Sequence, residues 1–259
     1  MTLAAAAAVF AAGIGAGTIN TVVGSGTLVT FPVLLALGLP PVTANVSNTL
    51  GLVAGNISGV LGYRRELRGQ RGRIIRFGIT ALTGGLVGAV LLLALPSRAF
   101  DVIVPALIGL ALVLVVLQPR LAAALARRRE RSPGGNRAAS PDGGPVLLAG
   151  LLLSSAYGGY FGAAQGVLHL SLMGVLLRDD LQRINALKNV LALIVNAVAA
   201  LFFLCAARFD WRAVLLIAAG SALGGRLGAK VGRRLPPTVL RGVIVAVGVV
   251  AIVQLIGRD

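Results

Sequence analysis

The sequence predicts an all-α polytopic membrane protein of two inverted-topology repeats, each a broken re-entrant helix pair followed by three transmembrane helices. Three observations lead there. Of 259 residues, 57% are hydrophobic and 12% charged, against about 25% charged in an average soluble domain. Apolar runs repeatedly reach the ~20 residues that a helix needs to cross a bilayer, without the apolar–polar alternation of membrane strands. The chain also matches itself when shifted by 140 positions. Gly26 then falls on Gly166, Leu28 on Leu168, Asn45 on Asn185 and Asn56 on Asn196. Gly84, Gly85, Gly88 and Ala89 fall on Gly224, Gly225, Gly228 and Ala229, and Pro96 on Pro236. The matches concentrate on Gly, Asn and Pro, which a chance alignment of Leu and Ala would not produce.

The repeat sets the domain plan: membrane repeat 1 over 1–118, a basic cytoplasmic linker over 119–145 and membrane repeat 2 over 146–259. In each half a long apolar segment interrupted by Gly and polar residues comes first, at 3–37 and 146–177. Three helices follow, expected at 42–63, 73–95 and 98–117, then at 182–205, 211–232 and 238–256. Between the halves, Arg127-Arg128-Arg129 and Ser132-Pro133-Gly134-Gly135 read as a solvated loop. The N-terminal stretch Met1–Gly17 lacks the basic leading region of a signal peptide and is counted with the fold.

The net charge of +16 raises nucleic acid as a partner, but its distribution argues otherwise. Arg64, Arg65, Arg68, Arg71, Arg73 and Arg76 sit in one short connection, and no nucleic-acid motif accompanies them. Basic connections of this kind orient a membrane protein with the charge inside. The linker and the stretch Arg226–Arg241 should share that cytoplasmic side, whereas Pro96–Asp101 and Arg208–Arg212 should lie outside. The helix at 42–63 must then run inward and its counterpart at 182–205 outward, so the halves are antiparallel. That makes each interrupted segment re-entrant. The first has 35 residues, about 52 Å as one helix, longer than a ~30 Å hydrocarbon core requires. The breaks are expected near Gly15–Ser25 and Tyr157–Gln165.

Paired breaks in inverted halves are the sequence signature of a transport site, because irregular backbone at membrane depth survives only in protein or a water-filled cavity. A half-helix that starts mid-membrane offers N–H groups and a positive dipole end to an anion. Ser25 and Thr27 add hydroxyls beside the first break; Gln165 and His169 add polar groups beside the second. Asn45, Ser47, Asn48 and Thr49 begin one following helix, and Asn185, Lys188 and Asn189 the other. Within each set, i, i+3, i+4 spacing puts Asn45, Asn48 and Thr49, or Asn185, Lys188 and Asn189, on one face. The candidate substrate-binding residues are therefore Ser25, Thr27, Asn45, Ser47, Asn48, Gln165, His169, Asn185, Lys188 and Asn189. All eight acidic residues fall in loops or at helix ends, which argues against a carboxylate proton relay.

Each of these residues has a plainer reading. Asn45 and Asn185 could bond between helices, Lys188 could snorkel to the interface, and His169 could be a satisfied core residue. Asn56 and Asn196 read as packing pins. The Gly84-Gly85-x-x-Gly88 and Gly224-Gly225-x-x-Gly228 sets read as close-packing faces. The single Cys205 has no internal disulfide partner and no metal-ligand spacing.

The stretch from Gly15-Ala16-Gly17 through Gly24-Ser25-Gly26, with Phe31-Pro32, Leu37-Gly38-Leu39-Pro40-Pro41 and Ala44–Thr49, resembles the first-repeat signature of the sulfite exporter TauE/SafE family. The resemblance is sharpest over 13–63. It implies an inverted-repeat membrane protein moving sulfite, sulfonates or other sulfur-containing anions. The second half departs from the family's form: it reads Gly158-Gly159-Tyr160-Phe161-Gly162-Ala163-Ala164-Gln165-Gly166, and Leu172 stands where the repeat would place Pro32.

The function expected is secondary transport of a small anion by alternating access, in a bacterial-type inner membrane. A passive anion channel and a membrane assembly or scaffold protein are the alternatives. An enzyme is not expected, because one His, one Cys and no intramembrane carboxylate leave no acid–base or metal constellation. No cofactor or metal is expected. The partners are a small anion and the lipid bilayer, not nucleic acid, with self-association into a homo-oligomer left open.

Overall fold

The computed structural model describes residues 1–130, 143–177 and 179–231. Among them the chain is helical without strands: α1 (Leu3–Val22), α2 (Thr27–Ala36), α3 (Pro41–Gly62), α4 (Arg71–Ala94), α5 (Ser97–Glu130), α6 (Gly144–Tyr160), α7 (Gln165–Leu176), α8 (Leu181–Ala206) and α9 (Trp211–Val231). Local chemistry sets several of the ends. Thr2 caps α1 by accepting from the Ala5 N–H at 3.2 Å, and Pro41 occupies the first turn of α3, where its missing N–H costs nothing. Asp180 caps α8, accepting from the Gln182 N–H at 2.8 Å.

The four helices expected at 42–63, 73–95, 182–205 and 211–232 appear within two residues of those bounds. The second break, over 161–164, falls inside its predicted window; the first, over 23–26, overlaps the end of its window and runs one residue past it. The arms around the first break are unequal. Helix α1 has 20 residues and α2 only 10, about 30 and 15 Å, so the break comes late in the segment. The third helix of the first half departs from its expected 98–117. It continues to Glu130, into the stretch read as a loop. The residues 121–130, Leu-Ala-Ala-Ala-Leu-Ala-Arg-Arg-Arg-Glu, are all strong helix formers, and the turn signals begin only at Ser132-Pro133. Residues 131–142 of the linker and the helix expected at 238–256 lie outside the described residues.

Among the described residues, four helices are long and apolar enough to cross a membrane: Leu3–Val22, Arg71–Ala94, Leu181–Ala206 and Trp211–Lys230. Thr27–Ala36, Val102–Leu117 and Gln165–Leu176 are shorter apolar helices. Helix α3 has the length, 22 residues, but buries Asn45, Ser47, Asn48, Thr49, Asn56 and Ser58, which lowers its mean hydropathy. Apolar side chains such as Leu86, Val90, Leu201, Leu215 and Leu223 point outward, as lipid-facing residues do.

Two parallel bundles form the frame. In the first, α9 packs on α1 and α3. A Cβ on Gly224 would lie 2.0 Å from the Ile14 carbonyl oxygen, and one on Gly225 2.4 Å from that of Gly55. In the second, α4 packs on α6 and α8, and a Cβ on Gly88 would lie 1.9 Å from the Ala156 carbonyl oxygen. The glycine sets of α4 and α9 are thus close-packing faces, with backbone seated on backbone. Helices α3 and α8 pass each other in opposite directions. Asn56 Nδ2 donates to the Ala192 carbonyl at 3.5 Å, whereas Gln70 Nε2, beyond the C-terminal end of α3, donates to the Arg183 carbonyl at 3.2 Å. Helices α2, α5 and α7 fill the space between, and edge-on contacts join Phe31 of α2 and Phe100 of α5 to Phe161 in the second break.

An ionic staple closes the end where α4 and α8 begin. Asp179 pairs with Arg73 and, at 2.8 Å, with Arg183 Nε. Arg183 also donates to the Arg68 carbonyl at 3.1 Å. Burial alone would raise the Asp179 carboxyl, but the Asp180 N–H and the two guanidiniums outweigh it and hold the group below its ordinary value.

Candidate functional site

The two breaks meet in the middle of the molecule. Gly24 turns the chain at φ +90° after α1, a conformation that glycine adopts without strain. Its carbonyl accepts the Gly166 N–H at 3.1 Å. A Cβ on Gly24 would lie 2.4 Å from Gly166 Cα, so the backbones touch with no side chain between them.

Around the first break, Asn48 of α3 holds the start of α2. Its Nδ2 donates to Thr27 Oγ1 at 3.2 Å, and its Oδ1 accepts from the Thr30 hydroxyl. Asn20, at the end of α1, donates to Asn56 Oδ1 at 2.6 Å, and its own Oδ1 accepts from the Gly26 N–H at 3.5 Å. Ser25 is fully buried, and its Oγ has no hydrogen-bond partner.

Around the second break, Tyr157 donates its hydroxyl to the Ala163 carbonyl at 2.6 Å, tying the loop back to α6. Gln165 opens α7 and folds over Gly158, where a Cβ would lie 2.3 Å from its Cδ. Its Nε2 is buried without a partner. One turn later, His169 Nε2 lies 3.2 Å from Ser155 Oγ, and its Nδ1 has no partner.

Each broken helix that ends here is held by side chains from the opposite half. Lys188 is fully buried and donates to the carbonyls of Asn20 at 2.9 Å and Thr21 at 3.1 Å. Asn189 donates to the Thr21 carbonyl at 3.2 Å and Asn185 at 3.5 Å. These last-turn carbonyls have no partner within α1 and form the negative end of its dipole. At the other tip, Asn45 Nδ2 donates to the carbonyl of Tyr160, the last residue of α6, at 2.9 Å.

The candidate residues therefore divide. Ser25, Thr27 and Asn48 gather at the first break, where the Lys188 ammonium also ends, and Gln165 lies at the second; the Lys188 stem passes 3.2 Å from where a Gly166 Cβ would sit. Asn185 and Asn189 turn to the end of α1, Asn45 to the end of α6, and His169 to α6. Ser47 stands apart, accepting the Asp210 N–H at 3.0 Å at the α8–α9 turn. Asn20, Thr30, Ser155 and Tyr157 belong to the same polar centre and were not singled out in the sequence. The signal for Asn20 was its place one turn before Gly24. No group of three metal-ligating side chains occurs among the described residues.

The family model for the sulfite exporter TauE/SafE matches residues 9–255. The chain belongs to this family. TauE/SafE membership makes it one of a family of multi-pass membrane transporters rather than an enzyme. A probable membrane transporter protein of Haemophilus influenzae is 28% identical over 242 residues, covering 92% of this chain and 89% of that one. The probable membrane transporter protein YfcA of Escherichia coli K12 is 26% identical, with 93% and 86% covered. The probable membrane transporter protein ORF9 of a Sinorhizobium species is 23% identical over 247 residues, with 95% and 90% covered. No solved structure matches the chain.

Proposed function

We propose that this chain is a secondary transporter of a small anion, a sulfur-containing oxyanion or organosulfonate, working by alternating access between two inverted repeats in an inner membrane. The observation that carries the reading is a pair of buried donors without partners, Ser25 Oγ and Gln165 Nε2, one at each break. A buried donor left unmet costs about 1–3 kcal/mol, and an oxyanion supplies the missing acceptors. The Lys188 ammonium, at the end of α1 beside the first break, sets the sign, and no carboxylate appears among the buried polar residues of the described chain to reverse it.

The inverted arrangement is supported by the opposed directions of α3 and α8 and by the relation of the clamps. Asn45 on the end of α6 and Asn185 on the end of α1 are 140 positions apart, like the repeats themselves. The repeats span 1–118 and 146–259, and the basic connections face the cytoplasm. The substrate meets Ser25, Thr27, Asn48 and Gln165. Asn45, Asn185, Lys188 and Asn189 shape the walls, and His169 turns from α7 toward Ser155 of α6.

Reconstitution in liposomes tests this. Flux of sulfite and of a small organosulfonate should saturate, show counterflow, and fall about tenfold or more in Gln165→Leu, the loss of one hydrogen bond to a charged group being worth roughly 1.5–3 kcal/mol. Flux that rises linearly without counterflow would make the chain a pore. Absence of flux for every sulfur oxyanion, in folded protein, would remove the substrate class.

A further inference from the structure

We infer that Lys188 is a tethered cation: its ammonium fills, from within the chain, the position at the C-terminal end of α1 that a bound monovalent metal ion would otherwise take. The carbonyl oxygens of Asn20 and Thr21 converge on Nζ at 2.9 and 3.1 Å. Both belong to the last turn of a helix that stops inside the protein. Converging carbonyls at the negative end of an interrupted helix are the environment in which broken-helix transporters hold a coupling cation. Here the cation is covalently part of α8.

Three further observations fit a site built for charge rather than a lysine stem that is merely packed. Lys188 is fully buried, and among the described residues no carboxylate pairs with it. Burying an ammonium without a counter-charge requires well-placed oxygens. The amides of Asn185 and Asn189 converge on the same Thr21 carbonyl, and Asn185 Oδ1 is buried with no partner, a further oxygen beside this helix end. Finally, the repeat-related position, Asn48, does something different. It bonds to the Thr27 and Thr30 hydroxyls of α2 and not to the end of a helix. The cation therefore belongs to one helix end only, and Lys188 is a positioning residue that fixes the tip of α1 without a dissolved ion.

The proposal does not depend on the anion reading, and its test uses stability rather than flux. The full chain, purified in detergent, is melted in about 0.3 M N-methylglucamine chloride and in equal concentrations of sodium, lithium and methylammonium chloride. Wild type should melt at the same temperature in all four. Lys188→Ala should melt lower in N-methylglucamine and regain about 3 °C or more in at least one of the small cations. A wild-type melting temperature that climbs and saturates with sodium would overturn the proposal, because the position would then be open to a dissolved ion. Lys188→Ala melting like wild type, or lowered equally in every salt, would also overturn it. Should Lys188→Ala fail to fold, Lys188→Met supplies the length without the charge. A Met variant as stable as wild type in N-methylglucamine shows that the site needs no cation.

Discussion

Asn45 closes the end of α6: its side-chain amide donates to the Tyr160 carbonyl across 2.9 Å. Asn45→Leu leaves that carbonyl unmet at the tip of a broken helix. Interhelical hydrogen bonds in bilayers average about 0.6 kcal/mol and reach about 1.7, so the substitution should lower stability by about 1 kcal/mol. Thermal melting measures the loss, and hydrogen exchange should rise around 157–164 and not around Asp179. Exchange raised uniformly along the chain would contradict a local clamp.

Gly24→Ala should be far more damaging than its size suggests. The added methyl would meet Gly166 Cα at 2.4 Å, and neither backbone can swing aside as a flexible side chain would. The residue also sits at φ +90°, which disfavours any Cβ. Overpacking of this kind costs about 1–3 kcal/mol, to be read as a lower melting temperature together with lost flux. Gly69→Ala is the control: its φ is also positive, at +76°, but nothing lies within 4 Å of the added atom, so only the conformational part of the penalty should appear.

The Asp179 staple predicts a pH dependence with a definite sign. Its carboxyl is held below the ordinary value of 3.8, so the folded state favours the ionised form. That contribution is complete above the ordinary value and is lost as pH falls through the lowered one. Asp179→Asn should cost about 1 kcal/mol at neutral pH, the scale of a partly exposed ion pair. The gap between wild type and variant should close as pH falls below the ordinary value and through the lowered one. Melting curves taken across that range decide it, and a gap that stays constant would mean the carboxylate charge contributes nothing.

Sided labelling checks the antiparallel halves. Cys205 is exposed near the end of α8 and should react with a membrane-impermeant maleimide from outside intact cells. In a Cys205→Ala background, Arg68→Cys, in the connection between α3 and α4, should react only after the membrane is opened. Reaction of both from the same side would rule out inverted halves.

Helix existence was legible because punctuation and period agreed. Pro40-Pro41 starts α3, Asp180 caps α8, and both breaks carry glycines. The position of the first break was less legible because Gly13, Gly15 and Gly17, which read as interruptions, lie within α1. Gly13 and Gly17 seat it against Ile217 and Ser221 of α9. Ser47 was grouped with its neighbours by proximity in sequence, although helical spacing already set it off the face shared by Asn45, Asn48 and Thr49. The partners of Lys188 could not be read at all. They are main-chain carbonyls, identical in every residue, and only the fold decides which ones are left unpaired beside a given side chain.

The glycine seams carry a mechanical consequence. Where a carbonyl rests against a neighbouring backbone, no rotamer can be rearranged to absorb displacement, so α9 is locked to α1 and α3, and α4 to α6. Each locked body takes helices from both halves of the chain: Ser221 of α9 meets Gly51 of α3 from 170 positions away, and Gly224 meets Thr18 of α1 from 206. The packed bodies are therefore interleaved across the two halves of the sequence. Severing the chain between α5 and α6 would split both packed bodies, and the two fragments should reassemble only when made together.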